Sequence, residues 1–360
     1  MTEKVAVIGA GSWGTALAAV LADNHHNVHL WTRREDHAEE INQYNTNNQY
    51  LSGFTLPASI QASTDMEECT KNAGYILVVV PTKAVREVMR DLRSMVQEET
   101  ILIHASKGIE PGTSKRISEM MEEELNGKQG KATVVLSGPS HAEEVCERQP
   151  TTVTVSSHVK AAAEEVQGLF MNRHFRVYTN QDLIGVEIGG ALKNIIALGI
   201  GLTDGIGYGD NAKAALMTRG LAEIARLGIK LGANPLTFTG LSGLGDLIVT
   251  CFSQHSRNWR AGYKLGCGND LDSVLEEMGM VVEGVRTTKA VYGLAHVMEV
   301  EMPITAALYD VLFDGKKPED AVLQLMGRVR KHEVENMSLL LGPDFQTKWQ
   351  EMVWSPDDNE

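Results

Sequence analysis

Val5-Ala6-Val7-Ile8-Gly9-Ala10-Gly11-Ser12-Trp13-Gly14 opens the chain with a short apolar run and three spaced glycines, and a helical pattern follows through Asp23. An uninterrupted apolar run is the pattern of a strand buried on both faces. The glycines fall where a strand-to-helix turn needs them to meet a pyrophosphate. The first permits the tight turn, the second lets the ligand approach the backbone, and the third lets helix pack on strand. A phosphate held there would face the unpaired N–H groups and positive dipole end of the helix.

Further apolar runs at 28–31, 75–80, 100–103 and 133–136 read as strands, and helical spacing recurs between most of them, as at 15–23 and 82–96. That alternation predicts a mostly parallel, doubly wound sheet. Two more strands are expected at 151–157 and 175–178. From about Gln181 the strand pattern stops, and helices are predicted over 183–202, 212–231, 270–278, 287–298, 304–313 and 318–326. The chain therefore divides near Asp182 into an α/β domain, 1–182, and an α-helical domain, 183–360. No Pro/Ser-rich linker separates them, so the helical domain is expected to pack directly on the sheet and close a cleft.

Composition narrows the function. The 360 residues carry a formal charge of −14, which argues against non-specific nucleic-acid binding and against an anionic membrane surface. An anionic ligand would need a local basic cluster. Cys69, Cys146, Cys251 and Cys267 are scattered without a CxxC pair, which fits a reducing compartment, with cytoplasm as the expected location. Residues 5–22 have the outline of a secretory leader, but their glycines, Trp13 and the preceding Glu3 fit a strand-turn-helix better. No unbroken apolar run reaches about 18 residues, so no membrane span is predicted. His25, His26 and His29 lack a supporting Cys or carboxylate set and read as surface residues, and no metal site is predicted. Glu122-Glu123-Glu124 reads as a solvated helix face and Asp357-Asp358-Asn359-Glu360 as a frayed tail.

Several residues carry chemistry. Where a ribose-binding acid would end the second strand, the chain has Arg33-Arg34, a pair suited to the 2′-phosphate of NADPH or, alternatively, a solvated charged turn opening a helix with Glu35 in its first turn. Reduction of a carbonyl by hydride needs a proton donor and cationic support. Lys193 can supply both, and Gly189 and Gly190 clear the helix face beside it for ligand or for a helix packing contact. Lys107, in Ser106-Lys107-Gly108, follows a strand at the end where such sheets bind ligands, and Gly138 and Ser140 follow another. Lys107 alternatively reads as a solvated turn residue, and the Gly138–Ser140 segment as a turn opening a helix with Ser140 as its cap. Asp246 either bonds Lys193 or a substrate hydroxyl, or simply caps the helix from Leu247. Ser256-Arg257-Asn258 offers a fork of donors for a phosphate, or a solvated turn.

The order and spacing of Gly9 to Gly14, Asn48-Gln49-Tyr50-Leu51, Ser106 to Glu110, Leu136 to Ser140, Glu187 to Asn194, Gly243-Leu244-Gly245-Asp246 and Ser256-Arg257-Asn258 are similar to those of the bacterial-type NAD(P)-dependent glycerol-3-phosphate dehydrogenases. The resemblance implies an N-terminal Rossmann domain, an all-helical C-terminal domain, and interconversion of dihydroxyacetone phosphate and sn-glycerol 3-phosphate for phospholipid synthesis. It places NADPH or NADH on Gly9, Gly11, Ser12, Trp13, Gly14, Arg33, Arg34, Tyr50, Lys107, Ala142, Arg257, Val281 and Glu283. It places the small-molecule substrate on Lys107, Gly138, Ser140, Lys193, Asp246, Ser256, Arg257 and Asn258, with Lys193 as acid/base catalyst. Tyr50-Leu51-Ser52 departs from the family's Tyr-Leu-Pro, and the arginine pair varies among members, which leaves the choice between NADH and NADPH open. Apolar helices in the second domain make a homodimer an expectation. A related two-domain hydroxy-acid dehydrogenase and a non-catalytic dinucleotide sensor are the competing readings.

Overall fold

In the computed structural model, residues 2–128, 130–279 and 281–330 are described. The acidic 357–360 tail and the last part of the expected second domain lie outside them.

Among the described residues eight strands form one sheet: β1 (Lys4–Ile8), β2 (Asn27–Trp31), β3 (Gln61–Ser63), β4 (Tyr75–Val78), β5 (Ile101–His104), β6 (Ala132–Ser137), β7 (Thr151–Ser156) and β8 (Phe175–Asn180). Their order is β3-β2-β1-β4-β5-β6-β7-β8, parallel throughout except between β6 and β7. Continuous apolar runs suit the central strands because both faces are covered; Val5 to Ile8 and Ile76 to Val78 are fully buried. Strand order reverses between β1 and β4, and Gly9 follows β1 there while Val79 and Val80 follow β4. Ligands of doubly wound sheets bind in the crevice at such a switch.

All seven expected strands are present, with ends moved by one or two residues. β4 stops at Val78 rather than Val80, β5 starts at Ile101 rather than Thr100, and β8 runs two residues beyond Tyr178. The helix expected over 82–96 is a short 3-10 turn, Thr82–Ala84, followed by Val85–Leu92. β3 was not expected: it has three residues, and its polar Gln61 and Ser63 flank a single buried Ala62.

After Phe175–Asn180 the described chain is helical, organised around Leu183–Ile206. Asp182 caps this helix by accepting from Gly185 N at 2.8 Å, and Gly207 ends it in the left-handed conformation at φ 92°. It is 24 residues long and apolar enough by length and composition to cross a membrane, although it contains no unbroken apolar run of that length. Its most apolar window is 94% buried inside the protein, as befits a core helix. Asp246–Phe252, Arg257–Gly266 and Glu283–Val297 pack around it. Gly201 and Gly262 permit that packing, since a Cβ on Gly262 would collide with the Leu198 carbonyl.

Two further expectations are corrected. Glu123 and Glu124 pair with Arg86 at 2.9 Å, so the acidic run belongs to an ion-pair network rather than to a freely solvated face. Of the three histidines read as surface residues, His26 and His29 are half-buried, and His26 Nε2 lies 3.1 Å from the Leu169 carbonyl.

Candidate active site

The turn after β1 is shaped by its glycines. Gly9 has φ 120°, and a Cβ there would stand 2.5 Å from the Val79 carbonyl oxygen. A Cβ on Gly14 would overlap the Gly9 carbonyl oxygen, so helix Ser12–Asp23 can begin this close to β1 only with glycine. Gly11 is different: a Cβ there would meet no atom of the described residues within 4 Å. The second glycine therefore borders open space at a helix N-terminus, which is the room a pyrophosphate requires. Trp13 Nε1 on the turn and Ser137 Oγ at the end of β6 are buried polar atoms with no hydrogen-bond partner among the described residues, of the kind that a ligand or water completes. These features fit a dinucleotide.

The segment at 47–51 is strapped onto this turn. Ser12 Oγ donates to the Tyr50 carbonyl at 2.8 Å, and Asn47 Nδ2 donates to the Ala10 carbonyl at 2.9 Å. Arg33 and Arg34 are exposed just beyond β2, and Arg34 donates to Gln49 Oε1 at 3.0 Å.

Further along the same edge of the sheet, beyond the ends of β5 and β6, lies a buried charge cluster. Lys193, in the middle of Leu183–Ile206, donates its Nζ to Asp246 Oδ1 and to Thr250 Oγ1, the latter at 2.7 Å. Lys107, just beyond β5, donates to the other Asp246 oxygen at 2.6 Å, and its Nζ lies 3.4 Å from the Gly138 carbonyl. One carboxylate thus bridges two lysines, one from a sheet loop and one from the central helix. Asp246 is only 1% exposed. Burial alone would raise its pKa, but Lys107 and Lys193 outweigh burial and hold it below the usual carboxylate value. Burial pushes Lys193 down to about 7; Asp246 opposes this shift and the Lys107 cation adds to it. A lysine poised near neutrality, with one face of its ammonium fixed by Asp246 and Thr250, can give or take a proton near pH 7.

Asp246 is therefore not a cap. Gly245 precedes it in helical conformation, and the carboxylate turns inward to the lysines. The wide helical turn Leu241–Gly245 brings it there, and Gly189 makes room for that turn, since a Cβ on Gly189 would lie 2.6 Å from the Ser242 carbonyl oxygen. Gly190 likewise borders Ser137 Oγ and the Lys107 stem. The glycines before Lys193 thus clear its helix face for other parts of the protein.

The other expected substrate residues divide. Gly138, at φ 148°, accepts from Ser140 Oγ at 3.0 Å and from Lys107, so this loop joins the cluster. Ser256 caps helix Arg257–Gly266 through Trp259 N at 3.2 Å. Asn258 donates to Asn194 Oδ1 and accepts from Gly284 N, both at 2.8 Å, so much of its hydrogen-bonding capacity ties helices together. Arg257 is exposed, with no hydrogen bond or ion pair among the described residues. The His141 ring stands 6.0 Å from that of His255, which brings the loop before Arg257 beside Ser140.

Glu283 accepts from Thr82 N at 3.3 Å, next to Gly108, and burial raises its carboxyl pKa. Ala142 is buried at the start of Ala142–Cys146, and Val281 is half-buried ahead of Glu283–Val297.

Sequence reasoning missed Thr250, whose distance of four residues from Asp246 on one helix was the available signal. It also missed buried Glu187, which accepts from Ser118 N at 2.8 Å and from Arg116, and lies 3.2 Å from His104 Nε2. That cluster fastens the central helix to the sheet and its flanking helix.

Comparison with known proteins agrees with this architecture. Residues 4–163 match the family described as NAD-dependent glycerol-3-phosphate dehydrogenase N-terminus, and residues 182–323 match its C-terminus. A Bacillus cytotoxicus glycerol-3-phosphate dehydrogenase described as using NAD(P)+ is 67% identical over 332 residues, covering 92% of this chain and 97% of the relative. The crystal structure of a Coxiella burnetii glycerol-3-phosphate dehydrogenase is 38% identical with a TM-score of 0.86, over 91% of this chain and 99% of that one. A Saccharomyces cerevisiae glycerol-3-phosphate dehydrogenase structure is 28% identical with a TM-score of 0.79, over 91% of this chain and 100% of that one. The glycine turn at a strand-order switch, the helical second half and these matches lead to one assignment: the chain belongs to the NAD-dependent glycerol-3-phosphate dehydrogenase family.

Proposed function

We propose that this chain interconverts dihydroxyacetone phosphate and sn-glycerol 3-phosphate using NADPH or NADH, with Lys193 as the proton donor and acceptor at the C2 oxygen. The observation that carries this reading is the buried Asp246 carboxylate shared by Lys193 and Lys107 beyond the carboxyl ends of the strands. Bound NAD(P)H supplies the hydride. Gly9, Gly11, Ser12, Trp13 and Gly14 hold its pyrophosphate end, Arg33, Arg34 and Tyr50 its adenosine end, and Ala142, Val281 and Glu283 the remainder.

In ketone reduction, protonated Lys193 gives its proton to the oxygen at C2, while Asp246 and Thr250 hold the ammonium in place. Lys107 stands where it can offset negative charge developing on that oxygen. Gly138, Ser140 and Arg257 receive the substrate, and the guanidinium supplies the two-pronged donor that a phosphate takes. Ser256 and Asn258 position that helix end. In the reverse direction neutral Lys193 removes the alcohol proton.

The two domains in this proposal meet near Asp182, and its product would feed phospholipid synthesis. A homodimer and a cytoplasmic location are further parts of it, the latter supported by four free cysteines. The test is the loss of NADPH or NADH absorbance on adding dihydroxyacetone phosphate, with dihydroxyacetone as control. Oxidation with the phosphorylated ketone alone is expected; oxidation with neither ketone, in folded protein, would overturn the reading.

A further inference from the structure

The two arginines beyond β2 are not equivalent. Arg34 Nε donates to Asp36 Oδ1 at 2.9 Å, a terminal nitrogen pairs with Asp36 Oδ2, and the other donates to Gln49 Oε1 at 3.0 Å. Arg33 is exposed and has no hydrogen bond or ion pair among the described residues. Gln49 is itself fixed. Its Oε1 also accepts from the ring of His37, which is 5% exposed and stands edge-on to Tyr50 at 5.5 Å between centroids. Tyr50 is in turn bonded to Ser12 on the glycine turn. Arg34 is thereby held by a segment that is strapped to the phosphate-binding turn.

A guanidinium edge that binds a carboxylate in two-pronged fashion is the same edge that would bind a phosphate. Asp36 occupies that edge of Arg34. We propose that Asp36 is a cofactor-specificity residue, competing with the 2′-phosphate of NADPH for Arg34 and so lowering the preference for NADPH over NADH. The inference rests on the dinucleotide reading above.

Asp36 also lies in the first turn of helix Glu35–Tyr44, where an acid is favourable at any helix N-terminus. That role alone would give no discrimination between cofactors. The pair is more than half exposed on both sides. Exposed ion pairs are weak, so the competition is expected to be worth about three- to fivefold in affinity.

The test is calorimetric binding of ADP-ribose and of 2′-phospho-ADP-ribose to the full chain, its Asp36→Asn, Arg34→Ala and Glu35→Gln variants, and the Arg34→Ala/Asp36→Asn double variant. Asp36→Asn should tighten the 2′-phosphorylated fragment about three- to fivefold and leave ADP-ribose unchanged. In the Arg34→Ala background the same change should have no effect. An equal gain for both fragments, no gain for either, a gain that persists without Arg34, or the same gain from Glu35→Gln would overturn the proposal while leaving the dinucleotide reading intact. A wild-type chain that binds neither fragment would overturn that reading and the inference with it.

Discussion

Lys193 sits between two opposing charges, so removing each should move its titration in opposite directions. Burial brings it to about 7, Asp246 raises it, and Lys107 lowers it. The unperturbed value for lysine is about 10.4. Ketone reduction needs the protonated amine, so its kcat/KM should fall as pH rises through about 7, while alcohol oxidation should gain over the same interval. A single opposite charge at contact shifts a pKa by about 1–3 units. Asp246→Asn should therefore move the falling limb down by about 2 units. At pH 7 the protonated fraction would drop from roughly half to about 1%, a loss of about fiftyfold in reduction that recovers on acidification. Lys107→Met should move the limb up by about 1 unit, even though it lowers the absolute rate by weakening the site. The assay is initial-rate cofactor absorbance with dihydroxyacetone phosphate across pH, reading the position of the limb rather than its height. A limb that stays in place in both variants, or moves the same way in both, would refute the reasoning.

Glu187→Gln should cost about 3 kcal/mol in urea unfolding at neutral pH, because it strips a buried carboxylate from Arg116, Ser118 and His104. Burial would raise the Glu187 pKa, but those partners outweigh it and hold the carboxyl down to about 2. Its contribution to stability is thus full above the unfolded value of about 4.3 and lost as pH falls toward 2, so the variant should show a flatter acid limb of stability over that window. Gly11→Ala should unfold at the same temperature as the parent yet bind NADPH much more weakly, since its Cβ meets no atom of the described residues within 4 Å. Gly14→Ala should lower the melting temperature as well, because its Cβ collides with Gly9. Equal melting temperatures for the two glycine variants would contradict the assigned difference.

The sheet was legible because its central strands are buried on both faces and show as unbroken apolar runs. β3 was not, because three polar-flanked residues on the sheet edge carry no such run. The sequence also could not tell that Gly189 and Gly190 clear space for the Leu241–Gly245 turn and Lys107 rather than for ligand. That fact depends on packing between residues far apart in the chain. The same holds for Asp246. A carboxylate after Gly-Leu-Gly before an apolar helix looks like a cap, and only the fold, across 139 residues to Lys107 and 53 to Lys193, turns it into a buried counter-ion. The arginine pair shows the converse. Both residues were visible as phosphate donors, but Asp36 and Gln49 make them unequal through side-chain geometry that local sequence does not specify.

The central claim is that Lys193 moves the proton, and Lys193→Met tests it most directly. Single-turnover cofactor oxidation with dihydroxyacetone phosphate should fall by at least about 10²- to 10⁴-fold, the range expected for loss of a general acid. NADPH binding, followed separately by fluorescence titration, should stay within about twofold, since the glycine turn does not depend on Lys193. A Lys193→Met variant that binds NADPH and still reduces the ketone at a comparable rate would contradict the account.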